Sequence, residues 1–159
     1  MDAGTLREFE VFRDLSDRAL NGLTGVFSLK KAEVGEKIIT QGTTSTGIYL
    51  IVSGVVEVLR ETKSGALIPI HKIKPGVMFG SLSTIDGGFR GAHCIAKEAV
   101  EYAFMKKNDF IDLIEGNSPL AMSFQVAVIR AIFKDVRDTN AQFAELSALE
   151  PLEDMTPLS

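Results

Sequence analysis

The stretch GIYLIVSGVVEVLR, residues 47–60, contains two runs rich in Ile, Val, Leu and Tyr, separated by Ser53-Gly54. Side chains of these types are enriched in β-strands, and a short polar pair with glycine is typical of the turn between two strands. The stretch therefore predicts a β-hairpin with its turn at Ser53-Gly54, and it places this part of the chain in a β-sheet.

Similar short segments continue on both sides, over residues 26–107. The segments EKIIT, ALIPIHKI, AHCIA and VEYAFM are rich in strand-forming residues, and glycines recur between them at Gly35, Gly42, Gly47, Gly54, Gly65, Gly76 and Gly80. Short, closely spaced strands with turn signals are typical of an all-β barrel, jelly roll or sandwich. No helical pattern lies between them, as a βαβ fold would require. We expect a mainly β domain, a glycine-punctuated β-roll of about eight strands.

Helices are expected on both sides of the β-roll. Residues 5–25 carry apolar side chains at roughly helical spacing, and Ser16 is a suitable N-cap there. After the roll, Asn108 is expected to cap a short helix that ends at Gly116, and Pro119 to begin a long helix that continues to about residue 146. The sequence thus predicts one domain over residues 1–146, with its C-terminal helices in 108–146, and a disordered acidic tail at 147–159.

The long helix carries two apolar stripes on opposite faces. One stripe, Leu120, Phe124, Val128 and Ala131, can bury against the β-roll. The other has the alternating spacing of four and three residues that is typical of a coiled-coil seam, and we expect a parallel homodimer through it. The alternative is that the N-terminal helices cover this stripe within one chain. Its residues are Met122, Val126, Ile129, Phe133, Val136, Asn140 and Phe143.

The composition and the isolated polar residues argue against several classes of function. The chain has 159 residues, 45% of them apolar, and a formal net charge of −4, which argues against nucleic acid as the main partner. A single cysteine, Cys94, and the lack of a signal peptide indicate the cytoplasm, and the most apolar run is too short for a membrane span. His71 and His93 are isolated, and Asp86 has no nucleophile beside it. We therefore expect no metal, no cofactor and no enzymatic activity.

A second stretch, MFGSLSTIDGGFRGAHCIA at residues 78–96, has the chemistry of an anion site. Small residues in GSLS leave consecutive backbone N–H groups free to surround an anion, and the planar guanidinium of Arg90 suits phosphate oxygens. Gly87-Gly88 lets the loop turn back, so that Arg90 faces those amides. The alternative is a glycine-rich surface turn with a solvated arginine.

Three segments of the sequence resemble motifs of the cyclic nucleotide-binding domain family: GEKIITQG, GIYLIVSGVVEV and PGVMFGSLS. The likeness covers about residues 9–143. This family includes the sensor domains of catabolite-activator-type regulators, of kinase regulatory subunits and of cyclic-nucleotide-gated channels. The resemblance implies a phosphate-binding cassette over residues 79–92, with cAMP or another cyclic nucleotide as the ligand. The implied ligand-binding residues are Phe79, Gly80, Ser81, Leu82, Ser83, Arg90, Gly91 and Ala92.

Three positions depart from the family pattern. The glutamate that binds the ribose 2′-hydroxyl in the family is Ser81 here, the proline before the arginine is Phe89, and the small, often polar residue after it is Gly91. The phosphate half of the implied site is intact and the sugar half is not. Loss of a hydrogen bond to a charged group costs about 1.5–3 kcal/mol, which is about ten- to a hundredfold in affinity.

The resemblance also implies that polar residues of the long helix reach the base, and Arg137 and Asn140 lie in the corresponding region. Only about a dozen residues follow this helix, too few for a helix-turn-helix, so no DNA-binding domain is expected. Two functions remain. The first is a stand-alone sensor that binds a cyclic nucleotide and signals through its C-terminal helix to an unknown partner protein. The second is a fold that no longer binds nucleotide and serves as a dimerisation and docking module.

Overall fold

A computed structural model describes residues 1–149, with side chains through Glu145. Eight antiparallel strands form two four-stranded sheets between helical segments, which confirms the predicted β-roll with helices at both ends. The strands are β1 (Phe27–Ala32), β2 (Lys37–Ile39), β3 (Gly47–Ser53), β4 (Val56–Glu61), β5 (Leu67–Ile73), β6 (Met78–Phe79), β7 (His93–Ala96) and β8 (Val100–Lys106). The helices are α1 (Ala3–Glu8), a 3-10 helix (Glu10–Phe12), α2 (Asp17–Thr24), α3 (Ser81–Ile85), α4 (Lys107–Glu115) and α5 (Pro119–Leu149).

The predicted hairpin at Ser53-Gly54 is wrong, because β3 and β4 belong to different sheets. One sheet has the order β1-β8-β3-β6 and the other β2-β7-β4-β5. The chain crosses from the first sheet to the second at Gly54, whose φ of 84° is left-handed and whose added Cβ would lie 2.5 Å from the carbonyl oxygen of Ala99. A tight glycine corner between sheets has the same local sequence as a hairpin turn. The hairpin partner of β4 is β5.

Most of the helix caps predicted from the sequence are present in the structure. Ser16 Oγ accepts a hydrogen bond from the backbone N–H of Ala19 at 3.2 Å, and Ser118 Oγ accepts one from Ala121 at 3.1 Å, just before Pro119 begins α5. Asn108 is not a cap, because α4 already begins at Lys107. Helix α5 continues to Leu149, past the predicted end at residue 146. The rest of the predicted disordered tail, residues 150–159, lies outside the described residues.

The buried stripe of α5 packs on other helices rather than on the β-roll alone. Phe124 is fully buried, with its ring centroid 6.3 Å from that of Phe12 in the 3-10 helix and 5.9 Å from that of Phe110 in α4. A separate cluster of apolar side chains fills the space between the two sheets around Tyr49. The N-terminal helices and α4 therefore attach α5 to the β-roll through the face that contains Phe124.

The opposite stripe of α5 is exposed, and the N-terminal helices do not cover it. All seven residues of the predicted dimer seam lie on this open face, Phe133 being 61% exposed. From Ile132 to Glu145 every side chain of α5 is exposed. Two ion pairs link α5 to the N-terminal segment. Arg130 pairs with Asp14 just before this region, and Lys134 pairs with Glu10 within it.

Replacing Phe124 by alanine should destabilise the domain by about 3–5 kcal/mol, because the side chain is enclosed by aromatic rings and a cavity would remain. Urea unfolding followed by circular dichroism measures this free energy. Phe89→Ala is the matched control, since this ring is 72% exposed, and a change within about 0.5 kcal/mol is expected. An equal loss in both variants would contradict the assigned core.

Candidate ligand-binding site

A cavity of about 760 Å³ lies between the sheet that contains β4, the loop after β6 and the second half of α5. The sheet supplies an apolar wall, which includes Ile39, Val58 and Ile73. The structure brings all of the predicted cassette residues to this one cavity. They are Phe79, Gly80, Ser81, Leu82, Ser83, Arg90, Gly91 and Ala92.

Arg90 is the charged centre of this cavity wall, although its side chain is only 5% exposed. Its Nη1 donates hydrogen bonds to the carbonyl oxygen of Gly80 at 2.6 Å and to Ser83 Oγ at 2.7 Å, and its Nη2 donates to the carbonyl oxygen of Gly47 at 2.6 Å. These bonds occupy three of the five N–H donors of a guanidinium. The planar group is thereby fixed in position, with donors left for a further acceptor.

The carbonyl of Gly47 and the hydroxyl of Thr84 complete the network under the loop. Thr84 Oγ1 lies 2.7 Å from the carbonyl oxygen of Gly80, 3.2 Å from that of Gly47 and 2.5 Å from Ser45 Oγ. Both hydroxyls are buried. The sequence analysis did not identify Ser45 and Gly47 as part of this network, because they lie more than thirty residues before the loop. No motif in the sequence singles out Ser45.

Gly80 shapes the start of the loop. Its φ is 81°, and an added Cβ would lie 2.8 Å from Arg90 Nη1, so a side chain here would be strained and would displace the guanidinium. The short helix α3 follows at once, and Gly80 as its N-cap has no side chain to bind the first amides. The backbone N–H groups at the beginning of a helix have no partner within the helix. The amides of residues 81–83 and Arg90 therefore border the same part of the cavity.

Backbone pairing on the far side of the loop aims Arg90 inward. The N–H of Arg90 donates to the carbonyl of Thr43, and the carbonyl of Arg90 accepts from the N–H of Gly42, both at 2.8 Å. Neighbouring residues on extended backbone point in opposite directions. Phe89 accordingly remains exposed beside the cavity mouth while Arg90 is buried.

Helix α5 faces the cavity with a different set of residues from the one expected. Arg137 and Asn140, the predicted base contacts, do not line it. The residues that do are Asp135, Asp138, Thr139 and Gln142. Their spacing of three, one and three places them on a single helix face, whereas Arg137 is two residues from Asp135 and points to another side. The sequence shows these polar residues, but it does not show which of them face the cavity.

Burial and neighbouring charge change three pKa values in this cavity. Burial lowers the pKa of Arg90, and it raises the pKa of Cys94 to about 11. Partial loss of water raises the pKa of Asp135, with a further rise from the negative charge of Asp138, while His71 and Lys134 act in the opposite direction. The cavity therefore has a buried cation on one element and a pair of carboxylates on another.

The described residues offer neither a metal site nor a membrane-spanning helix. They contain no group of three or more His, Cys, Asp or Glu residues placed to bind a metal, and none of their helices is long and apolar enough to cross a bilayer. His93 is buried, but its ring is used within the fold: Nδ1 accepts from the N–H of Gln41 at 3.1 Å and Nε2 lies 2.9 Å from Glu61 Oε2.

Comparison with known proteins identifies a family model that matches this chain, described as the cyclic nucleotide-binding domain, over residues 29–117. A cyclic AMP receptor protein of Thermus thermophilus is 28% identical over 104 residues, which cover 65% of this chain and 48% of that protein. A cAMP-dependent protein kinase regulatory subunit of Candida albicans is 32% identical over 109 residues, covering 69% of this chain and 23% of that protein. The chain thus spans about half or less of the length of these curated relatives.

Solved structures agree on the fold. A crystal structure of a cyclic nucleotide-binding domain from Methylobacillus flagellatus superposes with a TM-score of 0.77 at 20% sequence identity, covering 94% of this chain and 84% of that one. At this identity the similarity is one of fold. The match over nearly the whole chain includes the N-terminal helices and α5, which the family model does not span.

The Cys94 thiol should react slowly with iodoacetamide in the folded protein. A pKa of about 11 leaves a thiolate fraction at pH 8 on the order of a hundredfold smaller than an ordinary thiol has. The rate should rise about tenfold per pH unit until the pH approaches that pKa. Labelling followed by mass spectrometry from pH 7 to pH 10 tests this, with the urea-unfolded chain as the control. A rate that levels off near pH 8.5 in the folded protein would contradict it.

Proposed function

This chain belongs to the cyclic nucleotide-binding domain family, and we propose that it binds a cyclic nucleotide such as cAMP and signals through α5 to a partner protein. The proposed contacts of the phosphate are the amides of residues 80–83 and the guanidinium of Arg90. Phe79, Gly91 and Ala92 shape the same wall of the cavity. The family is a regulatory domain rather than a catalytic one, so the proposal assigns no reaction to the cavity.

The observation that supports this proposal most is that the buried charge of Arg90 has no oppositely charged partner among the described residues. Within residues 1–149, Arg90 is almost completely buried and forms no ion pair, and Gly47, Gly80 and Ser83 contribute only neutral acceptors. A buried charge is costly unless it is paired and hydrogen-bonded. The phosphodiester of a cyclic nucleotide carries one negative charge and two free oxygens, which match a single guanidinium with unused donors.

The sugar contact is the weaker part of the proposed site. Ser81 is half-buried at the cavity wall and offers a neutral hydroxyl where the family has a carboxylate. A hydroxyl both donates and accepts, so Ser81 retains one hydrogen bond to a ribose hydroxyl. We expect affinity below that of family members with the glutamate, and less dependence on the ribose 2′-hydroxyl.

The proposed route to a partner is α5 itself. Its polar face lines the cavity, and its apolar stripe lies on the opposite side of the same helix. If α5 can occupy two positions relative to the β-roll, a ligand that binds the protein more tightly in one of them shifts the population toward that conformation. We propose a second copy of the chain as the first partner of the stripe, in a parallel homodimer. The single, unpaired Cys94 supports a cytoplasmic location.

A second candidate function is a dimerisation and docking module that has lost its ligand. Ser81 is the specific observation that favours it, since this substitution removes a charged contact from the sugar side. The two functions share α5 and differ only in whether the cavity is occupied. Titration of the purified chain with cAMP and cGMP separates them, because the second function predicts no saturable binding of either nucleotide.

Arg90→Ala should weaken cyclic nucleotide binding at least a hundredfold, since it removes the only cation that the described loop directs at the phosphate. Arg90→Lys should recover part of the affinity, because the charge returns without the planar fork. Isothermal titration with cAMP and cGMP provides the measurement.

Arg60→Ala is the matched control for this experiment, because Arg60 is exposed on β4 and does not line the cavity. It should bind with unchanged affinity. Thermal unfolding of each variant checks that the loop network remains folded. Unchanged binding in a folded Arg90→Ala variant would place the nucleotide elsewhere.

The double variant Ile129→Glu with Phe133→Glu should convert the homodimer into a folded monomer. Both side chains are exposed on the same stripe, and a carboxylate buried in the seam would lack a partner. Sedimentation velocity at micromolar concentration measures the mass. Ile68→Glu on β5, also exposed and apolar before substitution, is the control and should leave the mass of the dimer unchanged. A wild-type protein that sediments as a monomer would contradict the dimer.

A further inference from the structure

The hairpin formed by β4 and β5 carries an unbroken run of exposed apolar residues. Residues 66–70 have the sequence ALIPI, and all five are exposed. Leu67 and Ile68 are each 49% exposed and Ile70 is 53% exposed. Isolated apolar side chains are common on protein surfaces, but a continuous exposed run of this length is unusual unless it makes a contact. The run is therefore a candidate docking surface.

A polar network fixes the hairpin beside this run. The side chain of Gln41 pairs with the backbone of Glu61: its Oε1 accepts from the N–H at 2.8 Å, and its Nε2 donates to the carbonyl oxygen at 3.0 Å. The turn is closed by a hydrogen bond of 2.9 Å from the N–H of Thr62 to the carbonyl oxygen of Ala66. The apolar run thus lies on an ordered hairpin, not on a loop that could fold it against the core.

Strand β5 lies at the edge of its sheet, but its backbone is poorly suited to pairing with a further strand. Pro69 lacks the N–H group that an added strand would need. The register of the hairpin also shifts between Val58 and Leu59, so that Ile70 is skipped in the pairing with β4. Proline and bulges in edge strands oppose the addition of another strand. A partner would therefore contact the side chains of the hairpin rather than its backbone.

The free charges around the run are positive. Glu57 of the hairpin forms an ion pair with Lys97. The carboxylate of Glu61 lies 2.9 Å from Nε2 of the buried His93. In contrast, four exposed cations form no ion pair with a described residue: Arg60, Lys63, Lys72 and Lys74. Exposed aliphatic side chains flanked by cations, on a chain whose formal net charge is −4, complement an anionic lipid surface.

We infer that the end of the β4–β5 hairpin binds the surface of an anionic lipid bilayer. Leu67 and Ile68 enter the head-group region, and Arg60 and Lys63 contact lipid phosphates. The contact is peripheral and requires no membrane-spanning helix. It goes beyond the proposed function and does not depend on it, because none of these four residues lines the cavity.

Flotation of the full chain with lipid vesicles tests this inference. Neutral phosphatidylcholine vesicles are compared with vesicles in which about 30% of the lipid is anionic phosphatidylglycerol. A cation near such a surface strengthens binding about fivefold, so the four cations predict a preference for anionic vesicles on the order of a hundredfold. Arg60→Gln with Lys63→Gln should weaken binding to them about twentyfold. Leu67→Ser with Ile68→Ser should weaken it about tenfold, because less apolar area leaves water.

Leu29→Ser with Lys31→Gln is the matched control. It removes one exposed aliphatic side chain and one exposed cation from β1, an edge strand of the other sheet, and should leave vesicle binding unchanged. Thermal unfolding checks that each variant is folded.

Equal binding of the wild type to neutral and anionic vesicles would overturn the inference. Absence of binding to both would also overturn it and would leave the run to a protein partner. Wild-type binding by the Leu67→Ser, Ile68→Ser variant would overturn the insertion of the run. Titration with cAMP and cGMP is independent of each of these results, so the failure of this inference leaves the proposed function standing.

Discussion

The hydrogen bonds from Arg90 to the carbonyl oxygens of Gly47 and Gly80 are the constraint on which the rest of the cavity depends. Gly47 begins β3 and Gly80 precedes α3, so one guanidinium aligns a strand, a short helix and the loop that carries Arg90 itself. A charge used in this way cannot be removed without loosening all three segments. The fold and the proposed ligand site share one side chain, so both a conservative and a drastic substitution are needed to separate its structural role from its proposed role in binding.

The same arrangement would reduce the cost of binding the anion in the proposed function. Arg90 would lose little side-chain entropy on binding a ligand, because three protein acceptors and the Tyr49 ring, 5.7 Å from the guanidinium carbon, already fix its position. Its desolvation has also occurred during folding. The energy of that desolvation is offset by the stability of the β-roll, and in the proposed function a phosphate would supply the ion pair that the buried guanidinium lacks.

The parts of this structure that sequence predicts are those encoded by contiguous residues. Glycine-punctuated strands indicated the β-roll, and the cassette residues lie together because they belong to one loop, 79–92. Apart from the start of α4 and the end of α5, the errors concern relations between distant segments. Residues 47–60 resemble a hairpin locally, and only the pairing of β3 with β8 and of β4 with β7 shows that they cross between sheets. Likewise, the polar stripe of α5 has a clear period, but the packing of Phe124 determines which way it faces.

The exposed half of α5 has a thermodynamic consequence. Residues 132–145 have no buried side chain, and an isolated helix of about 12–15 residues is only marginally stable in water. Helix formation here therefore depends on whatever covers it, and the ion pair of Lys134 with Glu10 at its beginning adds little because it is exposed to solvent. Asp135, Asp138, Thr139 and Gln142 all lie in this segment. The cavity wall that α5 forms and the second half of its exposed apolar stripe thus gain or lose their helical order together, in one helix–coil equilibrium.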